Sequence, residues 1–583
     1  MKNLFLPIKP LLLLCVLNFT SLTVVSQTPI IIPGTIESTN VNLSLQNGTF
    51  QFFPGENTST MGVNGPLLGP TLIMNNGDNM NISITNNLGE ETTIHWHGMH
   101  VSAANDGGPH TVIGVGQTWN PQFEVKDKAS TYWYHPHLLN QTDEHASKGI
   151  SGFIIVRDTE EAALSLPRTY SVDDFPLAVQ TKSFDGSYQI QANVNDDDVL
   201  MVNATINGQL DVPAQVVRLR LLNGSSQRTF NFGLSGNNAF HLIGTDGGLL
   251  NAPVALTRLP LSPGARAEIL VNFTGLQGQT IHLMSYASEL ADGNYGATYP
   301  GNSPSKPLNG YSPNVLNGTD FNVLQMDVVT QTANPITTIP VTLANDVPLA
   351  EVTADETRAF TFEPLTSGSQ QLNGDFSINN VTMDMNVVNV TVPLNNTEIW
   401  TFQNNSAIAH PFHMHDVQFY ILDINGSPPP SYLQGRKDTF LVPTGATARI
   451  ITKFEDYFDD TIPYMYHCHM LKHEDALAGM MGQFVVVDQT AGLDDLELSK
   501  DAVLYPNPSK GSYMTVRLNK PSETIKAYSI VNQLGQIVRY HKIHENEISN
   551  MYSFPIFELA QGQYFIKVFT QDRIITKKFT KNH

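Results

Sequence analysis

Ten of the 18 histidines in this 583-residue chain fall into four tight groups: His95-Trp96-His97, His135-Pro136-His137, His410-Pro411-Phe412-His413-Met414-His415 and Tyr466-His467-Cys468-His469-Met470-Leu471-Lys472-His473. Imidazole and thiolate are the side chains that hold soft and borderline metal ions. Cys468 is one of only two cysteines, and the other, Cys15, lies in an N-terminal apolar stretch that reads as a removable leader. The mature chain therefore cannot close an internal disulfide, and the remaining thiol is free to act as a ligand. One His-x-His alone is an ordinary strand segment; four such groups in one chain are not. A zinc site takes about four ligands, so ten histidines and a cysteine are too many for one.

Geometry separates the groups into two kinds of site. On a strand, successive side chains point to opposite faces. In His467-Cys468-His469 the imidazoles then share one face and the thiolate takes the other, so one tripeptide can serve two metal sites joined by covalent backbone. A thiolate with two imidazoles and a weak axial thioether is the blue-copper arrangement. Cys468, His410 and His473 supply the equatorial ligands, and Met480 or Met481 is available axially. Eight histidines remain (His95, His97, His135, His137, His413, His415, His467 and His469), enough neutral imidazoles for three further coppers.

The elements that must position these groups are short alternating runs such as Asn81-Ile82-Ser83-Ile84-Thr85, Val217 to Leu221 and Ile450 to Phe454. Helical periodicity is scarce, and 42 glycines, 35 prolines and only 15% charged residues fit strands joined by many turns. Three units close on similar hydrophobic strands, Gly152 to Asp158, Phe321 to Val329 and Gly482 to Asp488. We expect a leader over 1–26 and β-sandwich domains over 27–160, 161–335 and 336–490, with a small β-sandwich over 498–583. The net charge is −21; residues 501–583 carry eleven Lys/Arg against six Asp/Glu, so that tail is +5 and the remainder −26. Such an acidic body argues against nucleic acid as a partner. No segment after the leader is apolar enough to span a bilayer.

Taken together, the four motifs resemble those of three-domain multicopper oxidases of the laccase type, over roughly residues 45–490. The resemblance implies three cupredoxin-like Greek-key sandwiches and four coppers. The type 1 copper would take His410, Cys468 and His473, and the type 2 copper His95 and His413. One type 3 copper would take His97, His135 and His469, and the other His137, His415 and His467. The middle domain, whose His241 and His282 stand alone, would be a spacer and part of the substrate wall. The resemblance also implies acids near the cluster, Asp106 and Glu474, to supply the protons that oxygen reduction consumes.

This chain departs from the family pattern in places. The loop after His473 is two residues longer than usual, so strict spacing puts Ala478 in the axial position while the Gly-Met-Met motif puts Met480 there; we expect Met480. Only Met383 and Met385 stand where cuprous oxidases carry a methionine-rich cover, and Ser406 stands where they keep an acid. From Leu504-Tyr505-Pro506-Asn507-Pro508 onward, the chain resembles a type IX secretion sorting domain rather than a carbohydrate-binding module.

The expectation is a secreted or cell-surface enzyme, exported through the periplasm of a Gram-negative bacterium by the type IX machinery. It would use dioxygen to oxidise phenols or aromatic amines. Alternatives are a metallo-oxidase acting on Cu(I), Fe(II) or Mn(II), and a non-catalytic cell-surface scaffold.

Overall fold

The computed structural model describes residues 27–195, 197–301, 314–365, 375–476, 479–488, 502–532, 536–571 and 573–582. The expected leader with Cys15 and the alternative axial residue Ala478 lie outside the described residues. The protein is all-β, and its α-helices among the described residues are four single- or double-turn segments such as Thr142–Lys148.

The first unit packs the sheet formed by Thr35–Ile36, Thr71–Asn75, Gly152–Arg157, Ser130–His135 and His95–His97 against a second one built on Asn40–Phe53 and Asn79–Asn87. Alternation places Met80, Ile82 and Ile84 inward along Asn79–Asn87. Ser130–His135 is buried on both faces, because one face meets this core and the other meets neighbouring units.

The second unit is a six-stranded sheet on an eight-stranded one. Its first edge strand is Thr28–Pro29, from the start of the described chain, paired with Gly208–Gln209. Its core is aliphatic and aromatic, with Leu219, Leu221, Phe230, Phe232 and Ile269 fully buried. On its other face Arg218 and Arg220 are buried and paired with Glu161, Glu268 and Asp174. Thr131 of the first unit donates to Glu268 Oε1 at 2.6 Å, which ties the two units together.

The third unit sandwiches an aromatic core, with Trp400, Phe402, Phe412, Tyr466 and Phe484, between two five-stranded sheets. One sheet runs in the order Val390–Pro393, Met481–Val487, Asp459–Cys468, His410–Met414 and Thr439–Val442. Two of the histidine motifs therefore lie side by side on adjacent strands.

The tail folds as a three-stranded and a four-stranded sheet around its own core of Met514, Val516, Ile530, Phe554, Ile566 and Phe579. Lys567 Nζ meets Asp460 of the third unit at 2.9 Å.

Candidate metal centre

Pairing of strands brings the motifs together. His135 faces His95 across the first unit's sheet, and in the third unit His413 faces His467 while Phe412 faces Cys468. Directly opposed residues share a face, so alternation turns His413, His415, His467 and His469 to one side of the third unit and His410 and Cys468 to the other. The first side meets His95, His97, His135 and His137. All eight of these imidazoles are at most 1% exposed.

The imidazoles meet nitrogen to nitrogen. His97 Nδ1 lies 3.2 Å from His135 Nε2, His137 Nε2 lies 3.1 Å from His467 Nε2, and His415 Nε2 lies 3.3 Å from His467 Nε2. His95 stacks on His415 and His97 on His413, with centroids 3.8 and 3.7 Å apart. Most rings have their outer nitrogen committed to a donor role. Nδ1–H donates to Asp106 O from His95 at 3.0 Å, to Pro136 O from His135 at 2.8 Å, and to Asp438 O from His413 at 2.8 Å. His415 donates to Asp106 Oδ2 at 2.8 Å and His467 to Cys468 O at 3.2 Å. This fixes the tautomers so that bare Nε2 lone pairs converge inward. His97 is reversed, with Nε2 on Asp438 Oδ1 at 3.1 Å.

The buried nitrogens His95 Nε2, His413 Nε2 and both ring nitrogens of His469 have no hydrogen-bond partner in the protein. Burial, followed by repulsion among neighbours, holds His97, His135, His137, His413 and His467 well below the usual imidazole range, and His415 at about 4. Neutral, oriented, unpartnered imidazoles in a closed cavity are a donor set for metal cations, and soft enough for copper. Three nitrogen triplets lie mutually within 4.8 Å: His95, His97, His135; His95, His413, His415; and His137, His415, His467.

On the other face, Cys468 Sγ lies 3.5 Å from His410 Nδ1 and 3.6 Å from His473 Nδ1. Burial pushes the thiol up, so only a bound cation would make it a thiolate at neutral pH. The Met480 carbonyl accepts from the Cys468 N–H at 3.0 Å, and the Met480 side chain is buried in the same cluster as Cys468. Met481 instead opposes His467.

Asp106 and Glu474 are both buried at the cluster. Burial alone would raise Asp106, but the His415 and His95 rings that face its oxygens outweigh it and hold its carboxyl below the usual range. Glu474 is pushed well above its usual range by burial and by neighbouring Asp475. Its oxygens lie 3.3 Å from His137 Nδ1 and 3.4 Å from His467 Nδ1. Asp475 accepts from the N–H groups of Thr142 and Asp143 at 3.1 and 2.8 Å, so the loop after His473 caps a helix of the first unit.

Several site residues escape sequence reasoning. Asp438 joins three units, contacting His97 of the first and Arg266 of the second, with Arg266 Nη1 donating at 2.7 Å. Its only sequence signal is a charged run, Arg436-Lys437-Asp438, in a weakly charged chain. A Cβ at Gly264 would lie 2.8 Å from the His469 ring, so the middle unit forms a wall of the cluster. Ser406 Oγ accepts from His410 Nε2–H at 2.7 Å. Phe376 packs on both imidazoles of the cysteine site, 4.8 Å from His410 and 4.7 Å from His473. His241 and His282 join none of the ligand groups found among the described residues.

This arrangement, a cysteine site and an eight-imidazole site back to back between sandwich domains, defines a copper-binding oxidase architecture. Multicopper oxidase family models match residues 26–161, 167–297 and 348–490, and a secretion system C-terminal sorting domain model matches 503–582. The chain is 31% identical to the multicopper oxidase mco of Staphylococcus haemolyticus, over 77% of this chain and 89% of that protein. It is 30% identical to the cell division protein FtsP of Sodalis glossinidius, over 80% and 94% respectively. Among solved structures, it resembles a laccase-like multicopper oxidase CueO from Ochrobactrum sp., with 32% identity and a TM-score of 0.68, covering 79% of this chain and all of that one. McoA of Aquifex aeolicus gives 28% identity and a TM-score of 0.69, covering 79% and 99%. The chain belongs to the multicopper oxidase family, an enzyme family that binds copper, and carries a C-terminal domain for export to the cell surface or beyond.

Proposed function

We propose that the protein is a secreted laccase-like oxidase that takes single electrons from phenols or aromatic amines and passes them to dioxygen. The observation that carries this reading is the back-to-back geometry, in which Cys468 faces His410 and His473 while His467 and His469 on either side face the eight-imidazole cavity. His410, Cys468, His473 and Met480 would hold the type 1 copper, and His95 with His413 the type 2 copper. His97, His135 and His469 would hold one type 3 copper, and His137, His415 and His467 the other. When bound, the coppers supply one-electron acceptance on the cysteine side and four-electron reduction of dioxygen to water on the histidine side.

The chain's own groups provide the rest. The Cys468 backbone links the two sites covalently through its flanking histidines. Asp106 orients His415 and His95, and Glu474 holds a proton within reach of His137 and His467. Phe376 keeps water off the cysteine site. The sorting domain supports export through the periplasm of a Gram-negative bacterium by the type IX machinery.

A second reading, oxidation of Cu(I), Fe(II) or Mn(II), draws on Met383, which packs against Gly479 beside Met480. The test is oxygen uptake by the copper-loaded protein, offered 2,6-dimethoxyphenol, then Cu(I), then Fe(II). Rapid uptake with the phenol and little with the metals is expected; the reverse preference establishes the metallo-oxidase, and no uptake overturns both.

A further inference from the structure

His100 stands three residues after His97, just past the first unit's strand His95–His97, and its ring reaches the third unit. Its Nδ1 lies 2.8 Å from Asp416 Oδ1 and donates to the Asp416 carbonyl at 3.2 Å. The Asp416 side chain is buried, and neither of its oxygens has another hydrogen-bond partner among the described residues. His100 is itself held from several sides. Its backbone N–H donates to Asp127 Oδ1 at 3.0 Å, its Nε2 lies 3.2 Å from Asp456 Oδ2, and the Tyr457 ring packs on it at 4.9 Å. Burial would lower His100, but Asp416, Asp127 and Asp456 outweigh it and raise its pKa to about 10. The ring is an imidazolium at neutral pH, and its contact with Asp416 is an ion pair between the first and third units.

The backbone of Asp416 is strained. Its φ is 68°, an uncommon value for a residue with a Cβ. The Val417 N–H donates to His415 O, two residues back, at 2.8 Å. A turn closed by that bond around a positive φ is the rare, strained form of the γ-turn. Such strain persists only where the surroundings over-determine it, and it gathers at functional sites. The residue before the strained one is His415, whose N–H donates to Met465 O at 3.0 Å and whose ring faces His467 and Asp106. Reversal of the chain at Asp416 therefore sets the direction in which the His415 ring enters the histidine cavity. His100 grips this turn by its side chain and by its carbonyl together.

We propose that His100 is a positioning residue for the histidine cluster: it holds Asp416 in its strained turn, and the first unit thereby aims a ligand contributed by the third. The pair is a latch that couples closure of the two units to the direction of one imidazole. The proposal rests on the reading of His415 as a copper ligand. His100 acts through Asp416 and takes no part in the chemistry itself.

The test uses the full-length, copper-loaded protein with His100→Gln and Asp416→Asn, each of which removes one charge of the pair. Asparagine tolerates a positive φ as aspartate does, so the second variant spares the turn. Reoxidation of the reduced protein by dioxygen is expected to slow about 10- to 100-fold in each, the scale for losing a group that orients a ligand. The electron paramagnetic resonance signal of the histidine-side copper should change shape. The blue band, its anaerobic bleaching rate and the copper content should stay as in the wild type. Asp416→Gly separates the latch from the strain, since glycine takes this φ at no steric cost. Adding His100→Gln to Asp416→Gly should then slow reoxidation no further. Should His100→Gln fail to fold, Asp416→Asn carries the same prediction alone. A lowered melting temperature with unchanged reoxidation and an unchanged resonance signal makes the pair a structural contact only and overturns the proposal. So does a slowing by His100→Gln that is as large in the Asp416→Gly background as in the wild type. His415→Ala is the control for the underlying reading. If it leaves the histidine-side signal unaltered, His415 is not a ligand and the latch has nothing to aim. If it alters that signal while neither His100→Gln nor Asp416→Asn does, the ligand reading stands and the latch fails.

Discussion

The two faces at the end of the strand Asp459–Cys468 are built from opposite materials. On the cysteine side, Cys468, His410 and His473 sit among Phe376, Phe362 and Met480, and the Ser406 hydroxyl reaches an imidazole nitrogen of His410. On the histidine side, eight imidazoles are ringed by the carboxylates of Asp106, Glu474 and Asp438, with Arg266 behind them. An electron-transfer site benefits from dryness and from ligands that do not move. A site that turns oxygen into water needs protons, and therefore buried acids. The difference also shows in assembly: the cysteine site belongs to one domain, whereas the cluster draws side chains from two domains and its polar support from all three.

Replacing Cys468 by Ser should produce the largest effect. The hydroxyl cannot replace the thiolate, so the intense blue absorption and donor oxidation are both expected to vanish, with kcat falling by at least ~10³. Copper analysis should fall from four ions per chain to about three, because the eight imidazoles remain. Loss of all four coppers would break the comparison, since it would make the two faces one folding unit.

The next effect tests the three-domain support. Asp438→Ala takes from buried Arg266 the carboxylate that both its terminal nitrogens contact and leaves only Asp246, at 3.7 Å; losing one member of a buried pair costs about 3–5 kcal/mol. Denaturant unfolding of the holo protein is expected to show that loss, together with lowered copper content at the cluster and an unaltered blue band. A surface-like cost below 1 kcal/mol would mean that Asp438 adds little to holding the three domains together.

That the histidine groups would gather was legible in the sequence, because histidine pairs two apart on a strand share a face whatever the surrounding fold. The closing strands Gly152–Arg157, Phe321–Val329 and Met481–Val487 were legible from their apolar runs. Asp438, Arg266 and Phe376 were not, because each acts across a domain boundary or sheet that no local spacing encodes. Ser406 stood out in the sequence only as a missing acid; the structure adds its contact with His410.

The acids separate the faces kinetically. Asp106→Asn keeps the shape but removes the charge that His415 Nδ1 and His95 Nδ1 face. Reoxidation of the reduced protein by dioxygen is expected to slow about 10²-fold, the scale of general acid–base assistance, while anaerobic bleaching of the blue band by the donor keeps its rate. Slowing of both steps would show that Asp106 supports the fold of both sites rather than proton supply.

The smallest effect lies on the dry face. His410 turns Nδ1 toward Cys468 and donates Nε2–H to Ser406 Oγ, whose own hydrogen is donated to Ile408 O or Asn404 Oδ1, each at 2.8 Å. A neutral hydroxyl polarises the imidazole less than a carboxylate would, so His410 is a weaker donor to a cupric ion than in a relative with an acid there. Ser406→Ala removes even that acceptor at a cost of about 1 kcal/mol. With the ligand poorer still, the oxidised state is stabilised less and the type 1 reduction potential is expected to rise slightly in a redox titration of the blue band. Copper content and oxygen reactivity at the cluster should stay as they are. A fall in potential would mean that the hydroxyl acts as a donor toward His410, which would reverse the tautomer and remove Nδ1 from the cysteine site.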